Sequence, residues 1–323
     1  MAETASLDPV ASVVQRLGVL LAAGVTPASA WGYLAESFDD RPSGGRTSGH
    51  ATQDIVATVA ARVGTEPVAG AILAALPAES APRRGEAWAA SGAAWRGLAA
   101  AWFVASDAGA PLAPSLRDLA GSLRDLAETQ RDVDVALAGP AATAKFVTVL
   151  PVVGILFGLG LGFDTLGVLF GTVSGALCLA GGAALMLVAR AWNRRLLRAA
   201  TPKDVTPGLS LELLSIAVSG GASLDRARRA VASALERCEL DGRDAELDEV
   251  LELSRRAGVP AGALLRSEAE QSRRIARSAA RQKAAALSVT LMLPLGLCVL
   301  PAFLLLGVAP LMIAVISSTA GSF

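Results

Sequence analysis

The sequence predicts an all-α membrane protein, with two cytoplasmic helical-bundle lobes joined to three or four transmembrane helices. Three observations predict it. Long stretches are almost free of charge. The composition is 53% hydrophobic with only 4% aromatic residues, and the mean hydropathy is +0.49. Ala, Leu, Val and Gly supply most of that apolar content, which suits close helix packing better than a β-sandwich core. The soluble stretches carry helical periodicity and helix-turn signals that recur along the chain.

The membrane segments come first. Between Lys145 and Arg190 the only charged residue is Asp164. This stretch divides into a span over about 144–162 and a second over about 168–189, within a membrane region of 144–190. Each is near the ~20 apolar residues needed to cross ~30 Å of hydrocarbon. From residue 284 to the last residue, 323, there is no charge. The predicted C-terminal membrane segment is 286–318, either one kinked span or a hairpin bent near Pro301. Pro294, Pro301 and Pro310 are each expected to kink or break a helix there. Gly171, Gly175, Gly181 and Gly182 allow close helix contact in the second span.

Positive charge sets the orientation. Arg190, Arg194, Arg195, Arg198 and Lys203 follow the second span. Arg273, Arg274, Arg277, Arg281 and Lys283 precede the third, and Lys145 precedes the first. The link at 163–167 carries no positive charge. Both lobes are therefore expected in the cytoplasm and the link outside, in a multi-pass protein of the cytoplasmic membrane. Trp192 fits an interface anchor. The N-terminal stretch MAETASLDPVASVVQRLG lacks a basic region followed by a long apolar run, so no secretory signal peptide is expected.

The first lobe, 1–143, reads as helices over 9–23, from Pro27 to about 37, and over 53–63, 67–76, 85–107 and 113–138. Gly24 stops the first helix. Thr26 caps the second, with Pro27 at its first position. Residues 39–50 read as a flexible Gly-rich loop, with His50 in or beside it. The helix over 113–138 carries an apolar seam of Leu116, Leu119, Leu123, Leu126, Val133 and Leu137. The second lobe, 191–285, has helices near 208–219, 223–237, 244–257 and 260–283.

The lobes share a plan. Ala23-Gly24-Val25-Thr26 followed by Ala30 matches Gly220-Gly221-Ala222-Ser223 followed by Ala227. Ala108-Gly109-Ala110-Pro111 matches Ala257-Gly258-Val259-Pro260. Gly24, Gly109, Gly221 and Gly258 are thus the turn residues of a duplicated unit, in which a helical lobe leads through a long helix into an apolar span.

Charge and chemistry narrow the function. The chain has 29 basic and 29 acidic side chains. The first lobe holds ten basic and fifteen acidic ones, and 205–285 holds thirteen and twelve. No basic stripe with interleaved aromatics is present, so nucleic acid is not an expected partner. Cys178, Cys238 and Cys298 form no CxxC pair and read as free thiols. A single histidine, no P-loop, no HExxH and no acid within the spans leave no catalytic residues, cofactor site or metal site to name. The Arg-rich segments at 225–229 and 272–274 suit anionic lipid, an acidic partner face or a solvated helix surface.

In this order, the motifs resemble a known family. A short helix, an AAGV turn, a second helix, an AG.P turn, a long amphipathic helix and a span are similar to the F domain of type II secretion systems and the platform protein of type IV pili. Within that group the chain resembles the tight-adherence (Flp) pilus branch. Residues 136–198 look like its B-type protein and 281–311 like the tail of its C-type protein, as a fused pair. The resemblance covers most of residues 10–315. It implies a non-enzymatic platform in the inner membrane that works with an assembly ATPase, pilin subunits and the bilayer, as a homo- or hetero-oligomer. Family members often carry an acid just before the Gly of the second turn. Asp107 fills that place in the first copy as a candidate partner contact, whereas the second copy has Arg255 and Arg256. A small membrane transporter or structural membrane scaffold is the alternative expectation.

Overall fold

The computed structural model describes residues 7–39, 47–77, 85–160, 167, 170–200, 207–242 and 247–320. Among these residues the regular structure is entirely helical. The chain divides into two compact units, one made of residues 1–130 with 203–278, the other of 131–202 with 279–323.

The first unit opens with α1 (Asp8–Ala22) and α2 (Pro27–Asp39), then α3 (Thr47–Arg62), α4 (Val68–Ala75) and α5 (Gly85–Ala108). α6 (Leu112–Gly160) follows, and its residues 112–130 belong to this unit. After α7 (Val173–Ala200), which lies in the second unit, the chain returns to the first with α8 (Leu209–Ser219), α9 (Leu224–Arg237), α10 (Leu247–Ala257) and the first part of α11 (Ala261–Thr290).

The turns form where local chemistry dictates. The α1–α2 turn has Gly24 at φ +84°, and the α8–α9 turn has Gly221 at φ +85°. The turns before α6 and α11 have Gly109 at +65° and Gly258 at +67°. No atom lies within 4 Å of a Cβ built on any of the four. Glycine is required there by the left-handed backbone and not by crowding. The hydroxyl of Thr26 accepts a hydrogen bond from the Ser29 N–H at 3.3 Å, capping α2. Ser223 makes no such side-chain cap on α9.

Two lobes, 1–143 and 191–285, were expected. The helices of both repeats instead enclose one core running from Leu7 to Ala269. The physical reason is α5. It packs against α1 and α4 of its own repeat, and also against α8 and α9 of the other. Leu209 touches Gly97, Arg237 lies 4.7 Å above the ring of Phe103, and Arg96 pairs with Glu239 at 3.1 Å. The contacts place α5 parallel to α8 and antiparallel to α9, filling the groove between them. At its end, a Cβ on Gly220 would strike the carbonyl of Ala108, so the second repeat's first turn rests on the first repeat's second turn. The ring of Trp31 on α2 lies 6.4 Å from those of Trp95 and Trp102 on α5, tilted by 32° and 43°.

In the second unit, α7 packs along the C-terminal run. That run comprises α12 (Met292–Pro294), a π-helical stretch π1 (Leu295–Val299), α13 (Leu300–Phe303), π2 (Leu304–Val308) and α14 (Ala309–Ala320). The helix continues past Pro301, and the hairpin bent there does not form. Each π stretch ends two residues before a proline, Pro301 or Pro310. A proline lacks the N–H and crowds the carbonyl four residues back. Widening the preceding turn makes room for the ring and keeps the helix running.

Among the described residues, two segments are long and apolar enough to cross a membrane, Val173–Asn193 with 21 residues and Ala261–Val308 with 48. Their most apolar windows are only 17% and 29% buried. A soluble core helix hides most of its surface, whereas these expose Leu177, Leu187, Leu297 and Leu300. The expected first span, 144–162, is helical as far as Gly160 and then leaves the described residues. The link at 163–167 lies outside them except for residue 167. So does most of the 39–50 loop, of which 47–50 are helical and place His50, exposed, on α3.

Candidate functional site: the junction of the two repeats

The long helices α6 and α11 meet through charge. In the first unit Asp118 pairs with Arg266 at 3.4 Å and Asp125 with Arg277 at 2.7 Å. In the second, Arg281 donates to Asp132 Oδ2 through Nη2 at 2.6 Å and Nε at 3.0 Å. The acids recur every seven residues on α6, one stripe of a helix face. Because both partners ascend together, α6 and α11 run in the same direction. Arg281 sits at the position equivalent to Asp132 in the repeat, aligned by Gly109 and Gly258.

Between these pairs Arg273 turns inward. Its Nη1 donates to Oε2 of Glu212 on α8 at 2.8 Å, and the Ser122 hydroxyl of α6 donates to the same oxygen at 3.2 Å. Oε1 of Glu212 is buried without a hydrogen-bond partner. Burial pushes the Glu212 carboxyl above its ordinary value, while the Arg273 charge and the Ser122 hydrogen bond pull the other way. Sequence reading took Arg273 for an outward cation. The buried Glu212 was legible only as a lone acid inside the apolar run of α8.

The repeat extends to packing. A Cβ on Gly18 of α1 would lie 3.5 Å from the Ala113 carbonyl of α6, and one on Gly262 of α11 would lie 3.9 Å from the Ser215 carbonyl of α8. Residues 18 and 113 are the repeat equivalents of 215 and 262. Both copies thus seat their first helix on their long helix at the same level, with the glycine on opposite sides of the contact.

The residues expected to set topology are distributed as follows. Arg190, Arg195 and Lys283 are exposed. Arg194 and Arg198 lie on α7, and Lys203 lies outside the described residues. Arg277 and Arg281 are paired with Asp125 and Asp132, so these two are not bare charges. Asp107 is exposed at the junction, where its carbonyl accepts from Arg226 Nη2 at 3.5 Å. In the second unit Gly181 and Gly182 receive Leu305 and Leu306 of the chain's own C-terminal run. Trp192 packs with Met186 against Ala189, Cys298 and Val299. Among the described residues no group of three His, Cys, Asp or Glu side chains gathers as a metal set.

No family model matches the chain, and no curated protein or solved structure matches it.

Proposed function

We propose that this chain is a non-enzymatic platform protein of a pilus-assembly or type II-like secretion machine in the inner membrane, coupling a cytoplasmic ATPase to pilin extrusion. The observation that carries the reading is the duplicated unit. Each copy has a helix–turn–helix closed by a left-handed glycine, then a second glycine turn that opens a long helix leading to an apolar segment. α6, of 49 residues, begins in the first unit and ends in the second. A helix shared between the two units suits the transfer of a push or rotation from an ATPase to pilin subunits.

In this reading the protein spans the membrane three times, with the first unit in the cytoplasm. The helix that continues past Pro301 favours one C-terminal span over a hairpin. Asp107, exposed at the junction, is the candidate contact for the ATPase, and the protein works as an oligomer in the bilayer.

Deleting the gene tests the function. Surface pili should disappear while pilin is still made, and normal piliation in the mutant rejects the proposal. Flux of small solutes through liposomes holding the purified protein would favour a transporter instead.

A further inference from the structure

The two repeats are used unequally. In the second, the α8–α9 groove is filled by α5 along its length, through Gly97 on Leu209 and Ala108 on Gly220. Among the described residues, nothing fills the equivalent groove of the first repeat, between α1 and α2. It has a volume of about 470 Å³ and is lined by Arg16, Val19, Tyr33 and Ser37 among others. Shifted by the repeat offset, these four correspond to Leu213, Ile216, Ala230 and Ala234, all buried. In the first repeat Val19 is 55% and Tyr33 56% exposed.

The missing occupant has a counterpart in the same chain. α10 is the repeat equivalent of the C-terminal half of α5, since both end at the turn that opens a long helix. Val104 of α5 is fully buried, whereas its equivalent on α10, Leu253, is 54% exposed. The turn Ala257-Gly258-Val259-Pro260 is exposed throughout, although its counterpart, Ala108-Gly109-Ala110, carries Gly220. One chain therefore presents an open groove and an unused helix edge built to the same pattern. Charge agrees with this pairing. Glu249, exposed on α10, takes the place of Ala100 of α5, and Arg16 on the groove takes that of Leu213 of α8.

We propose that the α1–α2 groove of one chain receives the Leu253 edge of α10 from a second copy. Leu253 enters between Val19 and Tyr33, and Glu249 lies toward Arg16. Each copy gives one helix edge and one groove, a reciprocal pairing that two-fold symmetry allows. The pairing rests on the internal repeat and not on the pilus reading.

The test uses the full-length protein in membranes. A Val19→Cys chain and a Leu253→Cys chain, carrying different tags, are co-expressed and oxidised. The expected result is a disulfide-linked dimer carrying both tags. It should be absent when either cysteine is omitted, and Tyr33→Arg should reduce it at least tenfold. A chain with both cysteines that links only within itself would show α10 closing on its own groove, which overturns the second-copy assignment. No link, or a link that ignores Tyr33→Arg while that variant keeps wild-type helicity, overturns it as well.

Discussion

Arg273 Nη1 and Glu212 Oε2 lie 2.8 Å apart, with the two side chains 13% and 7% exposed. Glu212 stands on α8 of the second repeat, and Ser122, which shares its oxygen, on α6 of the first. A single carboxylate oxygen thus joins both repeats to the helix that leads into the apolar run. Removing the guanidinium leaves a buried carboxylate without its counter-charge, the costly way to break such a pair. Arg273→Met should lower unfolding stability by about 3–5 kcal/mol at neutral pH. The double variant Glu212→Leu/Arg273→Met should recover most of it in the same denaturant titration.

The pH dependence of Arg273→Met has a definite sign. Burial raises the folded-state pKa of Glu212 above 4.5, and Arg273 is the largest influence opposing that rise. Without Arg273 the folded state holds its proton more tightly than the unfolded chain does. Stability should then fall as pH rises from about 4.5, because over that interval the folded state binds more protons. Melting curves from pH 4 to 8 read this directly. A variant that becomes more stable across that range relative to wild type contradicts the arrangement.

The turn glycines separate two kinds of demand. Gly221 needs only its left-handed backbone, since the space around it is open. Gly221→Ala should cost about 1–2 kcal/mol, and Gly221→Asn should regain part of it because Asn tolerates that region. Gly220 has an ordinary φ of −74°, but a Cβ there strikes the Ala108 carbonyl. Gly220→Ala should destabilise by about 1–3 kcal/mol, and Asn at 220 should bring no relief. Thermal unfolding of the four variants distinguishes the cases.

These glycines also mark what the sequence makes legible. A left-handed turn, a cap and an apolar period are local, so the helices over 209–219 and 224–237 could be read from neighbouring residues within a position or two. The partner of a surface is not local. Nothing around Leu209 or Gly97 reveals that α5 crosses from one repeat to fill the α8–α9 groove, and two lobes were expected where one core formed. The acids at 118, 125 and 132 were visible at seven-residue spacing. Their pairing with Arg266, Arg277 and Arg281 depends on two helices 150 residues apart in sequence lying side by side (an offset of roughly that size fixed by the repeat). The prolines at 301 and 310 were read as kinks or breaks, leaving one kinked span or a hairpin, because a local rule does not include the π turn that absorbs them.

Helix packing in the second unit offers another test. A Cβ on Gly182 would overlap the side chain of Leu306. Gly182→Val should push α7 from the C-terminal run and lower the melting temperature in detergent, at a cost of about 1–3 kcal/mol. Leu306→Ala removes the obstructing atoms. Combined with Gly182→Val it should restore part of the loss, whereas independent effects would simply add.

Cys238 gives a chemical readout of whether the first unit stays closed. Its side chain is 2% exposed, and burial pushes the thiol up to about 11, against the opposing charges of Arg96 and Arg237. At pH 8 about one thiol in a thousand is ionised, and only the thiolate reacts readily. A maleimide or iodoacetamide reagent should therefore leave Cys238 unmodified in the folded protein and modify it fully in denaturant, as peptide mass spectrometry would show. α9 carries Cys238 at its C-terminal end, where Arg237 lies over Phe103 of α5. Phe103→Ala removes that cover, so it should speed native-state labelling of Cys238. An unchanged rate in Phe103→Ala would mean that α5 does not shield the end of α9, and that the single core joining the two repeats is not closed at that edge.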